Sequence, residues 1–349
     1  MTLATQDIRL PSTKTNPPSP RLASVDARIL LALRTAGSGF VSGADLAGQL
    51  GISRAAVWAR IEDLRQLGYD IAASPHQGYQ LRSVPDRLCA DDLLALAVGN
   101  QVVGRDIRVF EETNSTNDVV DKLARDGVKE GAVVFAEAQS KGRGRLGRKW
   151  MSPARKGLWF SILLRPALGP QAATQVTVAA ATALCRAIRE QTELRPEIKW
   201  PNDILVGGRK VAGVLTELNA EPDAIKHMIL GIGIDVNVAT SDFPPDLRKI
   251  ATSLKIETGR HLSRIDLAAA ILRELDADYQ RICRRQFATI ADEWEAQCGT
   301  LGRRVSIHLG ARILSGRAES LDDDGALLLR TDHGHLERIV GGDVTLEKS

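Results

Sequence analysis

Two short segments concentrate the chemistry of this chain. The first is Gly142-Arg143-Gly144-Arg145-Leu146-Gly147-Arg148-Lys149-Trp150. Glycines let a main chain approach a ligand closely. Arginines present planar forks that match carboxylate and phosphate. The loop therefore suits an anionic ligand such as an acyl-phosphate, although the same composition also describes a solvated basic loop. Formally it contains GxGxxG. A dinucleotide site would need a helix directly after the glycines and an acidic residue about 20 positions on. Pro153, Gly157 and a second β-type run follow instead, and residues 161–169 hold no Asp or Glu. That reading is excluded, as is an NTPase phosphate loop, because no Gly-Lys-Ser or Gly-Lys-Thr is present at the required place.

The second segment is Lys199-Trp200-Pro201-Asn202-Asp203, followed by Lys210-Val211-Ala212-Gly213-Val214-Leu215-Thr216-Glu217. A lysine in a hairpin beside an Asn-Asp pair can neutralise phosphate charge and position a metal. Pro, Asn and Asp are also ordinary turn formers, so a plain turn is the competing reading.

Hydrophobic periodicity supplies the elements that must hold these segments. Ala132–Ala138 and Leu158–Leu164 read as strands, and Gln171–Gln191 as a helix with Val176, Ala180, Leu184 and Ile188 on one stripe. Lys199–Val206 and Lys210–Leu218 read as a hairpin closed by Gly207-Gly208. Met228–Val238 reads as a further strand, and Asp266–Arg284 and Phe287–Cys298 as helices. Beyond Gly302, four short runs (304–309, 312–321, 326–331 and 336–340) read as strands of a small barrel.

The N-terminal part has a different order. Residues 1–22 are rich in Pro, Ser, Thr and Asn and are expected to be a disordered tail. From Val25 the pattern gives a helix through Ile29, Leu30 and Leu33, a second over Gly43–Leu50, and a third from an Ser53 cap to Leu67. Two short strands around Ser74-Pro75-His76-Gln77 complete the order of a winged helix-turn-helix. In such motifs the second helix of the pair enters the major groove with its N-terminal residues leading. Ser53 and Arg54 are thus candidate base or phosphate contacts. Trp58 and Arg65 follow on the same side, and Arg82 near the wing is a candidate phosphate contact. Winged helices also serve as protein-docking modules, and the local charge is nearly balanced.

Composition sets the outer limits. The 349 residues suit two or three domains, and a net charge of +3 does not by itself mark a nucleic-acid binder. Cys89, Cys185, Cys283 and Cys298 are scattered without metal spacing and are expected to be buried reduced thiols. The first residues lack a secretory pattern, and no apolar run approaches the ~20 residues that span a bilayer. The expectation is a cytoplasmic protein without a membrane partner.

The combination Ser115-Thr116-Asn117, Gln139, the 142–150 loop, Lys199-Trp200-Pro201-Asn202-Asp203 and Lys210-x-Ala212-Gly213 resembles the biotin–protein ligases in order and spacing. The N-terminal part is similar to the bifunctional members, which are ligase and biotin operon repressor in one chain. The resemblance implies an α+β multidomain protein. Its parts would be a winged helix (23–84), a mixed α/β catalytic domain of the class II aminoacyl-tRNA synthetase and biotin synthetase type (85–300) and a small SH3-like barrel (301–349). It also implies a reaction of biotin with ATP and Mg²⁺ to biotinyl-5′-AMP, followed by transfer to a lysine of the biotin carboxyl carrier protein of acetyl-CoA carboxylase.

Carried onto this sequence, Ser115, Thr116, Asn117 and Gln139 would line the biotin pocket. Arg143, Gly144 and Arg145 would close over carboxylate and phosphate, and Lys199 would act in both steps. Gly142, Gly147, Trp150, Asn202 and Asp203 would face the adenylate, with Mg²⁺ arriving on ATP and no dedicated metal site. Operator DNA and a homodimer formed with the adenylate bound are the further implied partners. Two other functions remain open: a biotin-sensing regulator without ligase activity, and a lipoyl or octanoyl ligase. One departure stands out. Gly231-Ile232-Gly233-Ile234 leads into Asp235 where the family pattern has Asn. The expectation is that Asp235 turns into a hydrogen-bond network, or that Asn237 takes over its role.

Overall fold

A computed structural model describes residues 24–310 and 312–346. The tail expected over 1–22 lies outside them. In the N-terminal part, α1 (Val25–Thr35), α2 (Gly43–Leu50) and α3 (Arg54–Gln66) precede a hairpin of β1 (Asp70–Ser74) and β2 (Gly78–Ser83). Each helix starts on a serine: Ser24, Ser42 and Ser53 accept from the main-chain N–H groups of Ala27, Ala44 and Ala56, respectively. These caps satisfy donors that a helix start leaves orphaned. Ile29, Leu30, Leu33, Leu46, Val57, Ile61 and Leu64 are fully buried together. Gly78 (φ 103°) has no room for a side chain, since a Cβ there would lie 2.0 Å from the Val41 carbonyl oxygen. Val41 and Tyr79 exchange main-chain hydrogen bonds at 2.8 and 2.9 Å, which tie the wing to the turn before α2.

The central part is built on a seven-stranded sheet. Along the chain come α4 (Ala90–Leu96), β3 (Asp106–Thr113), α5 (Thr116–Arg125), β4 (Ala132–Gln139), β5 (Leu158–Leu164) and α6 (Ala173–Thr192). They are followed by β6 (Glu197–Lys199), β7 (Asp203–Val206), β8 (Arg209–Ala220), β9 (Ile225–Ile234), α7 (Leu254–Thr258), α8 (Arg264–Cys283) and α9 (Phe287–Glu295). The strand order is β3-β4-β5-β9-β8-β7-β6. Only β3 and β4 pair in parallel, joined through α5. The expected strand over Lys199–Val206 is in fact two, β6 and β7, separated by a turn at Trp200–Asn202 with a cis Trp200–Pro201 bond. Helix α4, strand β3 and helix α5 gave no sequence expectation.

The two faces of the sheet follow the period of a strand. Val133 and Phe135 of β4 and Leu158, Phe160, Ile162 and Leu164 of β5 share one large core with α6, α8 and α9. On the opposite face Val134, Leu163 and Ile229 pack against Val120, Leu123 and Ala124 of α5. That face carries the site.

After α9, β10 (Arg304–Leu309), β11 (Arg312–Leu321), β12 (Leu327–Thr331), β13 (Leu336–Ile339) and β14 (Asp343–Leu346) form an antiparallel sheet in the order β13-β12-β11-β10-β14. The last strand was not expected. The apolar face of this sheet, with Val305, Ile307, Leu327 and Leu329, is continuous with the central core. The N-terminal part is attached differently. Helix α4 contributes Leu93 to the central core and Ala95 to the winged-helix core. Beside it Arg34 donates to both oxygens of the buried Asp92, at 2.7 and 3.0 Å.

Candidate functional site

Sheet register builds the floor. Ala136, Trp159, Gly233, Gly213 and Asp203 sit opposite one another across five strands, β4, β5, β9, β8 and β7. The next row on the same face is Val134, Ser161, Gly231 and Leu215. The glycines are demanded by what lies over them. A Cβ on Gly233 would come 2.5 Å from the Trp150 indole, and one on Gly231 would come 2.3 Å from the Asn117 Oδ1. Above this floor is a cavity of about 510 Å³.

One end of the cavity is a buried polar network at the start of α5. Ser115, Thr116 and Asn117 are almost wholly buried. The Thr116 N–H donates to the Gln139 side-chain oxygen at 2.8 Å, and the Thr116 and Ser161 hydroxyls are 2.6 Å apart. Gln139 donates in turn to the Ser152 hydroxyl at 2.9 Å. Asn117 donates to Glu217 at 2.9 Å. The other end holds Asn202, Asp203, Lys210 and Asp235. Asn202 donates to the Val214 carbonyl at 2.7 Å, and Lys210 is 2.5 Å from Asp203.

The glycine loop arches across the mouth. Trp150 N–H donates to the Gly142 carbonyl at 2.9 Å and Gly144 N–H to the Arg148 carbonyl at 2.7 Å, so the loop closes on itself. Its cations differ in their partners. Arg143 donates to both Glu217 oxygens, at 2.9 and 3.1 Å, and reaches Asp118 at 2.7 Å. Burial acts to raise the Glu217 pKa, but the bonds from Arg143 and Asn117 outweigh it and hold the carboxyl below its usual range. Arg148 is paired with Asp343 of β14, so the C-terminal sheet braces the loop. Among the described residues the hydrogen-bond partner of Arg145 is neutral, the Asn202 oxygen at 3.1 Å, and burial depresses its pKa against the longer-range pull of Asp203 and Asp343. Lys199, half-buried at the end of β6, has no hydrogen bond or ion pair among the described residues. Arg145 and Lys199 are therefore cations lining the cavity with no carboxylate in direct contact among the described residues, Asp203 and Asp343 acting on them only at longer range, an arrangement that suits an anion.

Trp150 is half-buried, stacked over the floor glycines, edge-on to Trp159 at 6.4 Å and beneath the Lys210 ammonium at 5.1 Å. Gly142 and Gly147 shape the loop; a Cβ on Gly142 would come 2.5 Å from the Trp150 carbonyl, whereas Gly147 adopts φ 72°. Ser115, Thr116, Asn117, Gln139, Arg143, Gly144, Arg145, Trp150, Lys199, Asn202 and Asp203 all line the one cavity.

Sequence reasoning missed Glu217, Ser161 and Asp343. Glu217 was detectable in principle, because it lies on the parity of Gly213 along β8. Asp343 depends on the packing of a strand that the sequence did not reveal. The expectation for Asp235 is overturned. Among the described residues its carboxyl joins no hydrogen-bond network, and it lines the cavity. Asn237 cannot stand in for it, since its amide is used twice on Leu262, at 2.9 and 3.0 Å.

On the N-terminal part, Arg54 and Trp58 are exposed on α3, with Trp58 57 % accessible. The Ser53 hydroxyl caps the helix. Arg65 is turned away from them. It donates to the Ile71 carbonyl at 2.9 Å and to Glu62 at 2.5 Å, joining α3 to the first wing strand. Arg82 is exposed on the second.

Known proteins match along the same divisions. Residues 109–235 match the biotin/lipoate A/B protein ligase family, residues 27–80 an HTH domain, and residues 300–346 the biotin protein ligase C-terminal domain. A bifunctional ligase/repressor from Bacillus subtilis is 36 % identical over 311 residues, covering 89 % of this chain and 95 % of that protein. Its counterpart from Escherichia coli is 32 % identical, over 92 % of this chain and 97 % of that protein. The structure of a biotin protein ligase from Aquifex aeolicus in complex with biotin and ATP covers 70 % of this chain and 99 % of its own, at 30 % identity and a TM-score of 0.60. Fold and site thus define a protein ligase of the biotin and lipoate class, joined to a helix-turn-helix domain. The chain belongs to the family of bifunctional biotin–protein ligases and repressors.

Proposed function

We propose that the chain joins biotin to ATP as biotinyl-5′-AMP and then transfers biotin to a lysine of a biotin carboxyl carrier protein. The observation that carries this reading is the pair of uncommitted cations, Arg145 and Lys199, at the junction of a polar pocket and an aromatic-lined cleft. In the first step a biotin carboxylate oxygen attacks the α-phosphorus and pyrophosphate leaves. In the second a neutral lysine amine attacks the acyl carbon, the acyl–phosphate bond breaks, AMP leaves and the amine proton passes to solvent. Both steps gather negative charge at one point, where fixed cations in a water-poor cleft act most strongly. Ser115, Thr116, Asn117 and Gln139 supply the mixed donors and acceptors that a ureido ring needs. Gly142, Gly144 and Gly147 let the loop close over the adenylate, with Arg143 at its biotin end. Trp150, Asn202 and Asp203 take the nucleotide.

Among the described residues no group of three or more His, Cys, Asp or Glu side chains is placed to hold a metal ion. The Mg²⁺ that accompanies ATP is read as arriving on the triphosphate, whose charge it neutralises. The catalytic part is read as the class II synthetase type and the C-terminal sheet as an SH3-like barrel, on the family likeness. Ser53, Arg54 and Trp58 at the head of α3, with Arg82 of the wing, are read as the operator contacts of a homodimer, since paired half-sites mirror a two-fold axis. Arg65 serves to hold the wing rather than to touch DNA. A cytoplasmic location completes the reading; among the described residues no helix is long and apolar enough to cross a membrane.

The test is a mass measurement on an apo carrier domain mixed with the protein, biotin and MgATP. A gain of one biotin, abolished in Lys199→Ala and in Arg145→Ala, is the expected result. An unmodified carrier beside a folded protein that still binds biotin removes the ligase reading and favours a biotin-sensing regulator.

A further inference from the structure

Asp235 is out of place electrostatically. It follows β9 at the nucleotide end of the cavity and is 6 % exposed. Its main chain is fixed on both sides, with its N–H donating to Val211 and its carbonyl accepting from Leu254, each at 2.9 Å. Its carboxyl oxygens have no hydrogen-bond or ion-pair partner among the described residues. The neighbouring charges do not serve it. Lys210 on β8 is already committed to Asp203 of β7 at 2.5 Å and to the Trp150 ring. Lys249, in the loop before α7, lines the same cavity, and Glu257 of α7 is held by Arg209 and Thr252 at 2.6 Å each. An ionised carboxylate here would be buried without a partner and would face a triphosphate of the same sign, both strongly unfavourable.

We infer that Asp235 is a further nucleotide-binding residue of the ligase site and that it works as a neutral carboxyl, donating its O–H to an oxygen of the bound nucleotide. A carboxylic acid has one donor and one acceptor in the plane of its head, as a side-chain amide does. In the neutral form it therefore offers a ligand the donor and acceptor that an Asn at this position would offer, without adding charge. Burial pushes its pKa well above the ordinary carboxylate range, against a smaller lowering by Lys210, which agrees with that form. The sign of the linkage follows. Nucleotide binds the protonated form, so binding raises the pKa further. Wherever the free carboxyl is partly ionised, binding takes up a proton, and affinity falls as pH rises through the free-state pKa.

This inference rests on the ligase reading, and the test separates the two. The full-length protein is titrated by calorimetry with the Mg²⁺ complex of the α,β-methylene analogue of ATP, which cannot be cleaved at the α-phosphate. Titrations run from pH 6 to pH 9 in pairs of buffers of different ionisation enthalpy. The expected result is proton uptake on binding and an affinity that declines with pH relative to Asp235→Asn, by about tenfold for each pH unit above the free-state pKa. Asp235→Asn should bind the analogue without that uptake. An affinity that matches Asp235→Asn and is kept in Asp235→Leu at every pH, or loss of binding in Asp235→Asn with binding by the wild type that strengthens as pH rises, overturns the inference and makes Asp235 a bystander or an anionic group, respectively. Absence of any nucleotide binding by the wild type would strike the ligase reading itself.

Discussion

Arg34→Ala is expected to loosen the winged-helix part while leaving biotin transfer intact. Arg34 lies in the last turn of α1, donates to both Asp92 oxygens and is 3.3 Å from Asp266 of α8. Asp92 is fully buried, and its other donor is the Tyr69 hydroxyl at 3.1 Å. Truncation therefore leaves a buried carboxylate with one neutral hydrogen bond. Removing one partner of a buried pair costs about 3–5 kcal/mol. Arg34 retains some solvent contact and Tyr69 remains, so about 3 kcal/mol, the low end, is expected. For a domain of about 60 residues each kcal/mol is worth about 4–8 °C in Tm, so the N-terminal transition should drop by roughly 10 °C or more in scanning calorimetry. Most of that penalty belongs to the stranded charge rather than to the lost contact. Arg34→Ala/Asp92→Asn should accordingly regain about half of it or more. Carrier biotinylation should keep its kcat, because Arg34 is remote from the cavity. A double variant no more stable than Arg34→Ala, or an Arg34→Ala transition unmoved from wild type, would refute the reasoning.

Other variants probe the site piece by piece. Gly233→Ala should drive its new Cβ into the Trp150 indole, at an overpacking cost of about 1–3 kcal/mol, and weaken nucleotide binding by calorimetry while far-UV circular dichroism stays native. Glu217→Gln should lower kcat/KM for biotin about tenfold, because hydrogen bonds to a charged group contribute about 1.5–3 kcal/mol; unchanged steady-state kinetics would show that Arg143 and Asn117 hold their places without it. The Asp343 carboxyl lies below its usual range, chiefly through its bond to Arg148. That tie is present above the unfolded carboxyl pKa and is lost as pH falls through the depressed folded value. Amide exchange across residues 143–149 should be faster in Asp343→Asn at neutral pH, and the difference should vanish on acidification.

What could be read from the sequence, and what could not, divides along a physical line. Local signals were legible: the serine cap of α3, the strand periods of β5, β10 and β11, and the two chemical segments, because each depends on neighbours in the chain. Helix α5 escaped because Ser115-Thr116-Asn117 reads as a loop, although these residues head a helix whose stripe packs on the sheet. The break between β6 and β7 escaped because periodicity cannot distinguish one bent strand from two. Arg65 shares helical phase with Arg54, yet the fold offers it the Ile71 carbonyl, and a guanidinium with an unpaired carbonyl within reach takes it.

Asp235 is the sharpest instance. Chain proximity suggested a network or a substitute at Asn237, both reasonable for a residue in a Gly-Ile-Gly-Ile-Asp run. The strand period decides otherwise. Gly231 and Gly233 face the cavity, and Asp235 continues their parity just past the end of β9, so its carboxyl enters the site that the glycines keep open. Asn237 continues it too, but there the chain has left the sheet, and Leu262 claims both amide atoms. A residue's role here follows from which strand neighbours its parity aligns, and that alignment is set by pairings between β5, β8 and β9 that lie far apart in the chain.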